Sequence, residues 1–302
     1  MFKDVELMME CYICKSKDFT ERLGKVRDSD SLKILECNNC SLVFLSDFSH
    51  IESSHYEKSG MHGSNPVPVE EWLKESSEDD DRRFNFLKQK ILNKRVLDFG
   101  CGAGGFLIKS KSIAKECYGI ELETRALQRL RELGINSEKS ILEISKSKDK
   151  FDLITAFHVV EHLADPRSTI IELAKLLNKA GELIIEVPNS NDALLTLYKS
   201  KPFSEFTYWS NHLFLFNNET LMKLLKQSKL QLNWIKQVQR YSLSNHLYWL
   251  ANGLPGGHVR WSFIDDNDIN RSYESKLSSL GLCDTIIASV SNISNKESEL
   301  ND

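Results

Sequence analysis

Residues 95–106 read RVLDFGCGAGGF, a short apolar run that ends in an acid and breaks into four glycines. Val96, Leu97 and Phe99 suit a buried strand, and glycines just past its end permit positive φ and let a ligand approach the main chain closely. A glycine-rich turn after a strand is shared with dinucleotide-binding proteins. Here the spacing is G-x-G-x-G, with Asp98 in front of it, rather than G-x-G-x-x-G. The next strand, ECYGIELE, ends near Glu121, the place in such a fold where a carboxylate can take both hydroxyls of a ribose. Together these features specify an adenosine-type ligand with a charged amino-acid tail.

Outward from this turn the chain alternates strand and helix. RVLDFG, ECYGIELE, FDLITAFHV and GELIIEVP read as strands, and GGFLIKSKSIA, TRALQRLRELG and PRSTIIELAKLLN as helices. Such alternation predicts an α/β fold with a doubly wound, mainly parallel sheet, whose ligands bind at the carboxyl ends of the strands. LQLNWIKQVQRY and CDTIIASVSN supply two late strands with an insertion at 241–282 between them. ESSEDDDRRFNFLKQKIL predicts a helix with Phe84, Leu87, Ile91 and Leu92 at helical spacing and a solvated acidic start.

Two C-x-x-C pairs, Cys11 with Cys14 and Cys37 with Cys40, stand near the N-terminus. Each pair folds as a tight knuckle aiming two thiolates at one metal, and two knuckles complete a closed tetrahedral shell for structural Zn2+. The expected organisation is a zinc ribbon at 1–48, a linker or lid at 49–80, an α/β domain at 81–292 and a disordered tail at 293–302. Cys101, Cys117 and Cys283 read as small buried hydrophobes.

The chain has 302 residues, 41% of them apolar, and its 39 Lys and Arg against 43 Asp and Glu give a net charge of −4. That balance argues against a phosphate-binding surface and a nucleic-acid partner, and favours a small acceptor. No apolar run approaches the length of a membrane span, and the first residues lack a signal-peptide layout, so the expectation is a cytoplasmic protein. The aromatic insertion suits an acceptor wall or the face of a homodimer.

VLDFGCGAGGF, GIELE, FHVVEHLADP and LLNKAGELIIEVPN, in that order over residues 90–240, resemble class I S-adenosylmethionine-dependent methyltransferases of the ubiquinone type. The resemblance implies that Asp98 and the loop Gly100, Cys101, Gly102 and Gly104 surround the methionine moiety. It places Glu121 on the ribose, Leu122 beside the adenine with Ser140 and Ile141, and Phe157 and His158 near the sulfonium. The cysteine pairs, Tyr56 in SHYEK and the aromatic-histidine stretch FTYWSNHLFLF resemble sugar and surface-polysaccharide methyltransferases, which implies a hydroxyl acceptor on an activated sugar or glycan. His158, Glu161 and His162 follow the third long strand, and His212 lies in the aromatic stretch; a neutral imidazole there would take the acceptor's proton. The same four residues also resemble the metal-binding set of the small-RNA 3′-terminal methyltransferases, which would imply a second divalent metal. An RNA methyltransferase and a non-catalytic cofactor-binding scaffold are the alternative functions.

Overall fold

The computed structural model describes residues 9–51, 67–146 and 149–293. Three short strands come first, β1 (Phe19–Glu21), β2 (Ile34–Cys37) and β3 (Val43–Leu45), then helix α1 (Val69–Ile91). An alternating run follows: β4 (Arg95–Phe99), α2 (Gly105–Ser110), β5 (Glu116–Ile120), α3 (Thr124–Glu132), β6 (Asn136–Glu138), α4 (Ile141–Ser145), β7 (Phe151–Phe157), α5 (Pro166–Lys175) and β8 (Leu177–Pro188). After it come α6 (Ala193–Thr196), α7 (Lys201–Phe206), β9 (Phe214–Leu215), α8 (Asn218–Gln227) and β10 (Leu230–Val238). The last elements are α9 (Leu243–Asn252), α10 (Gly257–Arg260), α11 (Asn267–Leu280) and β11 (Thr285–Asn292). No helix among the described residues is long and apolar enough to cross a membrane.

The chain divides into two compact units, one of residues 1–48, 188–224 and 237–286, the other of 49–187, 225–236 and 287–302. The core of the second is a seven-stranded sheet in the order β10-β11-β8-β7-β4-β5-β6. β4 pairs in parallel with β5 and with β7, β5 with β6, and β7 with β8. Val96, Leu97, Leu153, Ile154, Leu183 and Ile184 are buried, as strands covered on both faces require. Strand order reverses between β4 and β7, so the crevice beyond their carboxyl ends is where such a sheet receives a ligand.

Helix α1 starts at Val69, so positions 69–80 of the expected linker 49–80 are helical. Val69, Trp72 and Leu73 alone mark its first turns as amphipathic, too few for periodicity to reveal them. Leu87 and Ile91 are buried, whereas Leu92 lies past the helix end and is exposed. The acidic run is not simply solvated. Asp80 is buried and accepts from Ser76 Oγ at 2.7 Å, Asp79 pairs with Arg82, and Asp81 pairs with Lys109.

In the first unit β1, β2, β3 and β9 form an antiparallel sheet in that order. The ribbon expected to stand alone at 1–48 therefore takes its fourth strand from residues 214–215 and shares a unit with two later segments. The insertion at 241–282 is helical, built from α9, α10 and α11. The expected tail beyond 293 lies outside the described residues.

Candidate functional site

At the carboxyl ends of β4, β5 and β7 lies a cavity of about 510 Å³, lined among others by Phe99, Gly100, Ile120, Glu121, Leu122, Ser140, Ile141, His158 and His162. That size suits a small organic ligand. Gly100 and Gly104 both have positive φ, and side chains there would run into Val159 and Leu130. The turn is thus glycine for two reasons at once, backbone conformation and lack of room.

Glu121 fastens this turn. Its Oε2 accepts from Gly102 N–H at 2.8 Å, and its Oε1 from Leu122 N–H at 2.7 Å and Glu123 N–H at 3.0 Å. Burial pushes the carboxyl up in pKa, against the pull of the three amides. Oε2 accepts from one amide and so keeps a lone-pair site for a hydroxyl donor. Ser140 caps α4, accepting from Glu143 N–H at 3.3 Å, while Glu143 takes a bond from Lys139 N–H at 2.9 Å. That reciprocal cap presents Ser140 and Ile141 to the cavity.

Asp98 is buried at the middle of the sheet, with Thr155 Oγ1 donating to it at 2.7 Å. Burial pushes its carboxyl up to about 7, with Thr155 and the Arg83 guanidinium pulling the other way. Cys101 is a neutral thiol, because burial and the charges of Glu121 and Asp98 push it well up. Cys117 and Cys283 are buried, and burial raises both to about 12, which keeps them inert.

His158 has a positive φ of 52°, uncommon for a side chain of its size, and its N–H donates to Glu186 O at 2.8 Å. Its Nδ1 lies 3.2 Å from Glu161 Oε1 and its Nε2 3.3 Å from Glu186 Oε1, and both carboxylates are fully buried. Two buried carboxylates thus face the two ring nitrogens, and the Nδ1 contact with Glu161 is a hydrogen bond. The residue expected to accept the acceptor's proton, or to join a second metal set, therefore lies between two buried carboxylates.

Glu186 also receives Arg82 through two bonds of 2.9 and 3.0 Å and Arg83 through two of 2.7 and 2.9 Å. Burial alone would raise its carboxyl; Arg83, His158 and Arg82 instead hold it well below the usual range. The Arg83 guanidinium stacks on Phe157 at 4.7 Å, and Phe106 meets the same ring edge-on at 5.1 Å. Phe157 is therefore buried within its own unit. Sequence reasoning missed Arg82, Arg83 and Glu186. The available signal was a carboxylate inside the apolar run LIIEVP, which a buried strand tolerates only with a cation beside it.

Other expected site residues lie in the first unit. His212 follows α7, with its N–H donating to Trp209 O at 2.9 Å. The sulfurs of Cys11, Cys14, Cys37 and Cys40 all lie within 4.8 Å of one another. Cys11 to Cys40 is 3.5 Å and Cys14 to Cys37 is 3.4 Å, near the edge of about 3.8 Å that tetrahedral zinc–sulfur bonds of about 2.3 Å would set. The knuckles are copies of one turn: Lys15 N–H donates to Cys11 O at 2.9 Å and Ser41 N–H to Cys37 O at 2.8 Å, with φ of 62° at both residues. Four sulfurs so arranged can hold one metal ion. Tyr56 lies outside the described residues.

A family model for the methyltransferase domain matches residues 72–233. The ubiquinone biosynthesis O-methyltransferase of Erwinia tasmaniensis is 27% identical over 178 residues, covering 54% of this chain and 69% of that protein. The enzyme of the same name from Aeromonas salmonicida is 27% identical, covering 51% of this chain and 64% of that protein. The chain thus spans about two thirds of the length of these curated relatives. Among solved structures, N-methyltransferase NodS from Bradyrhizobium japonicum, in complex with S-adenosyl-L-homocysteine, gives a TM-score of 0.48 at 18% identity, covering 80% of this chain and 100% of that chain. A SAM-dependent methyltransferase from Thermotoga maritima gives 0.48 at 18% identity, covering 74% and 94%.

Proposed function

The chain belongs to the methyltransferase-domain family, and from that membership we propose that it moves a methyl group from S-adenosylmethionine to a hydroxyl of a small polar acceptor. The observation that carries this reading is the cavity at the reversal of strand order, with the Glu121 carboxylate on its wall and the glycine turn at its base. When bound, S-adenosylmethionine supplies an electrophilic methyl group on a positively charged sulfur. Glu121 would accept from the ribose, Leu122, Ser140 and Ile141 would flank the adenine, and Asp98 with the Gly100–Gly104 turn would hold the methionine end. His212 takes the hydroxyl proton. His158, held between Glu161 and Glu186, keeps the β7 end in shape.

For the acceptor we favour an activated sugar or surface glycan, on the strength of the paired cysteine knuckles and the aromatic stretch at 206–216. The relatives named for ubiquinone biosynthesis support oxygen as the methylated atom. A search for the mass gain of one methyl group among nucleotide sugars, oligosaccharides and quinol precursors incubated with protein and cofactor tests this assignment. A gain confined to quinol precursors would overturn the sugar reading.

Asp98 makes cofactor binding depend on pH. A carboxyl with its pKa near 7 must lose its proton before it can pair with the methionine ammonium. Affinity should therefore fall by up to about tenfold per unit as the pH drops below 7 and level off above it. Asp98→Asn should flatten the profile, and calorimetry from mildly acidic to mildly alkaline pH checks both.

The cysteine knuckles should hold about one zinc per chain, needed for the ribbon to fold. Elemental analysis of the native protein measures it. A metal-free preparation whose residues 9–48 resist proteolysis would contradict the claim.

A further inference from the structure

We infer that the loop between the two cysteine knuckles is a positioning device for His212, so that the metal-binding ribbon sets the geometry of the acceptor-side histidine. The inference rests on the reading of His212 as proton acceptor. Contacts within the first unit carry it. Lys25 N–H donates to Ser204 O at 3.2 Å and Arg27 N–H to Tyr208 O at 2.9 Å, so the loop runs along the segment that leads to the histidine. Asp28 then takes both donors of Ser210, the N–H at 3.0 Å and Oγ–H at 2.7 Å. Between these bonds the Arg27 guanidinium lies over the Trp209 ring at 4.8 Å and the Phe206 ring at 5.5 Å.

The histidine is held from its other side as well. Leu45 N–H donates to Leu213 O at 3.1 Å, and Phe44 pairs with Phe214 in the sheet register. Phe214 packs against Tyr12, inside the first knuckle, and Phe48, each ring centroid 5.2 Å away. His212 thus sits between ribbon anchors at Ser210 and Leu213. Residues 15–36 span the knuckles and carry the Asp28 anchor, and Leu45, just past Cys40, carries the Leu213 anchor, so the metal that fixes the knuckles fixes the ends of both. A general base must lie within hydrogen-bond reach of its proton, and small displacements cost rate steeply. A closed four-sulfur metal site does no chemistry of its own; holding a base in place is the use this fold makes of it.

Asp28 is exposed and can be changed without disturbing a core. The test compares Asp28→Ala with Asp28→Asn and with zinc-stripped native chain, all full length, by hydrogen exchange of the peptides covering 204–216 and by the ¹⁵N signal of His212. That signal is assigned by its loss in His212→Ala. Asp28→Ala should raise exchange in 204–216 about tenfold, as loss of hydrogen bonds to a charged acceptor implies, and shift or broaden the His212 signal with zinc content and cofactor affinity unchanged. Asp28→Asn, which still accepts from Ser210, should recover most of both effects. Zinc removal should reproduce them more strongly. Unchanged exchange and an unchanged His212 signal in Asp28→Ala would overturn the proposal. Loss of turnover in His212→Ala tests the underlying role separately: if turnover survives there, the base assignment fails while exchange and ¹⁵N data still decide the positioning claim.

Discussion

Glu121→Ala should weaken binding of S-adenosylmethionine and of S-adenosylhomocysteine about 100-fold, measured by equilibrium dialysis against the native chain. A hydroxyl hydrogen bond to an ionised carboxylate contributes about 1.5–3 kcal/mol, and leaving buried donors without an acceptor costs about 1–3 kcal/mol more; about 3 kcal/mol in all already corresponds to roughly two orders of magnitude. The donors at stake are the amides of Gly102, Leu122 and Glu123 at the base of the cavity. Glu121→Gln should fall between the two proteins: its amide oxygen can keep the Leu122 and Glu123 bonds, but its NH2 group then opposes Gly102 N–H. Equal affinity in native and Glu121→Ala proteins would remove the ribose from this carboxylate.

His212→Ala should lower turnover on the true acceptor about 10²- to 10⁴-fold and leave cofactor affinity within about twofold of native, because the proton moves only in the reaction. His158→Ala is expected to act differently. It removes the imidazole that lies between the buried Glu161 and Glu186, so its principal effect should be a lower melting temperature. A variant of His212 with native turnover would return the base role to the β7 end or dispense with it.

The sheet of the second unit was legible because β4, β7 and β8 are long apolar runs, each followed by glycine, proline or a charged turn. β6, only Asn136–Glu138, and β9, only Phe214–Leu215, carry too few side chains to show a period. The glycine turn and Glu121 were readable because their chemistry is local, set at the ends of neighbouring strands that follow one another directly in the chain. The Glu186 network was not, since Arg82 and Arg83 reach it from a helix far earlier in the chain. The same kind of separation hid the make-up of the first unit. Cys11 to Cys40 announced a ribbon, but nothing between positions 1 and 48 indicates that its sheet closes with Leu215 or that Asp28 meets Ser210. Trp72 and Asp80 show the converse. They looked like linker and solvated charge, yet the Trp72 ring lies where a side chain at Gly102 would stand, 2.7 Å from its Cβ position.

Calorimetric titration of the native chain with S-adenosylhomocysteine tests the central claim most directly, because it requires no knowledge of the acceptor. The expected result is one site per chain with micromolar affinity, lost in Glu121→Ala. Absence of binding up to millimolar ligand by a folded, zinc-loaded protein would contradict it.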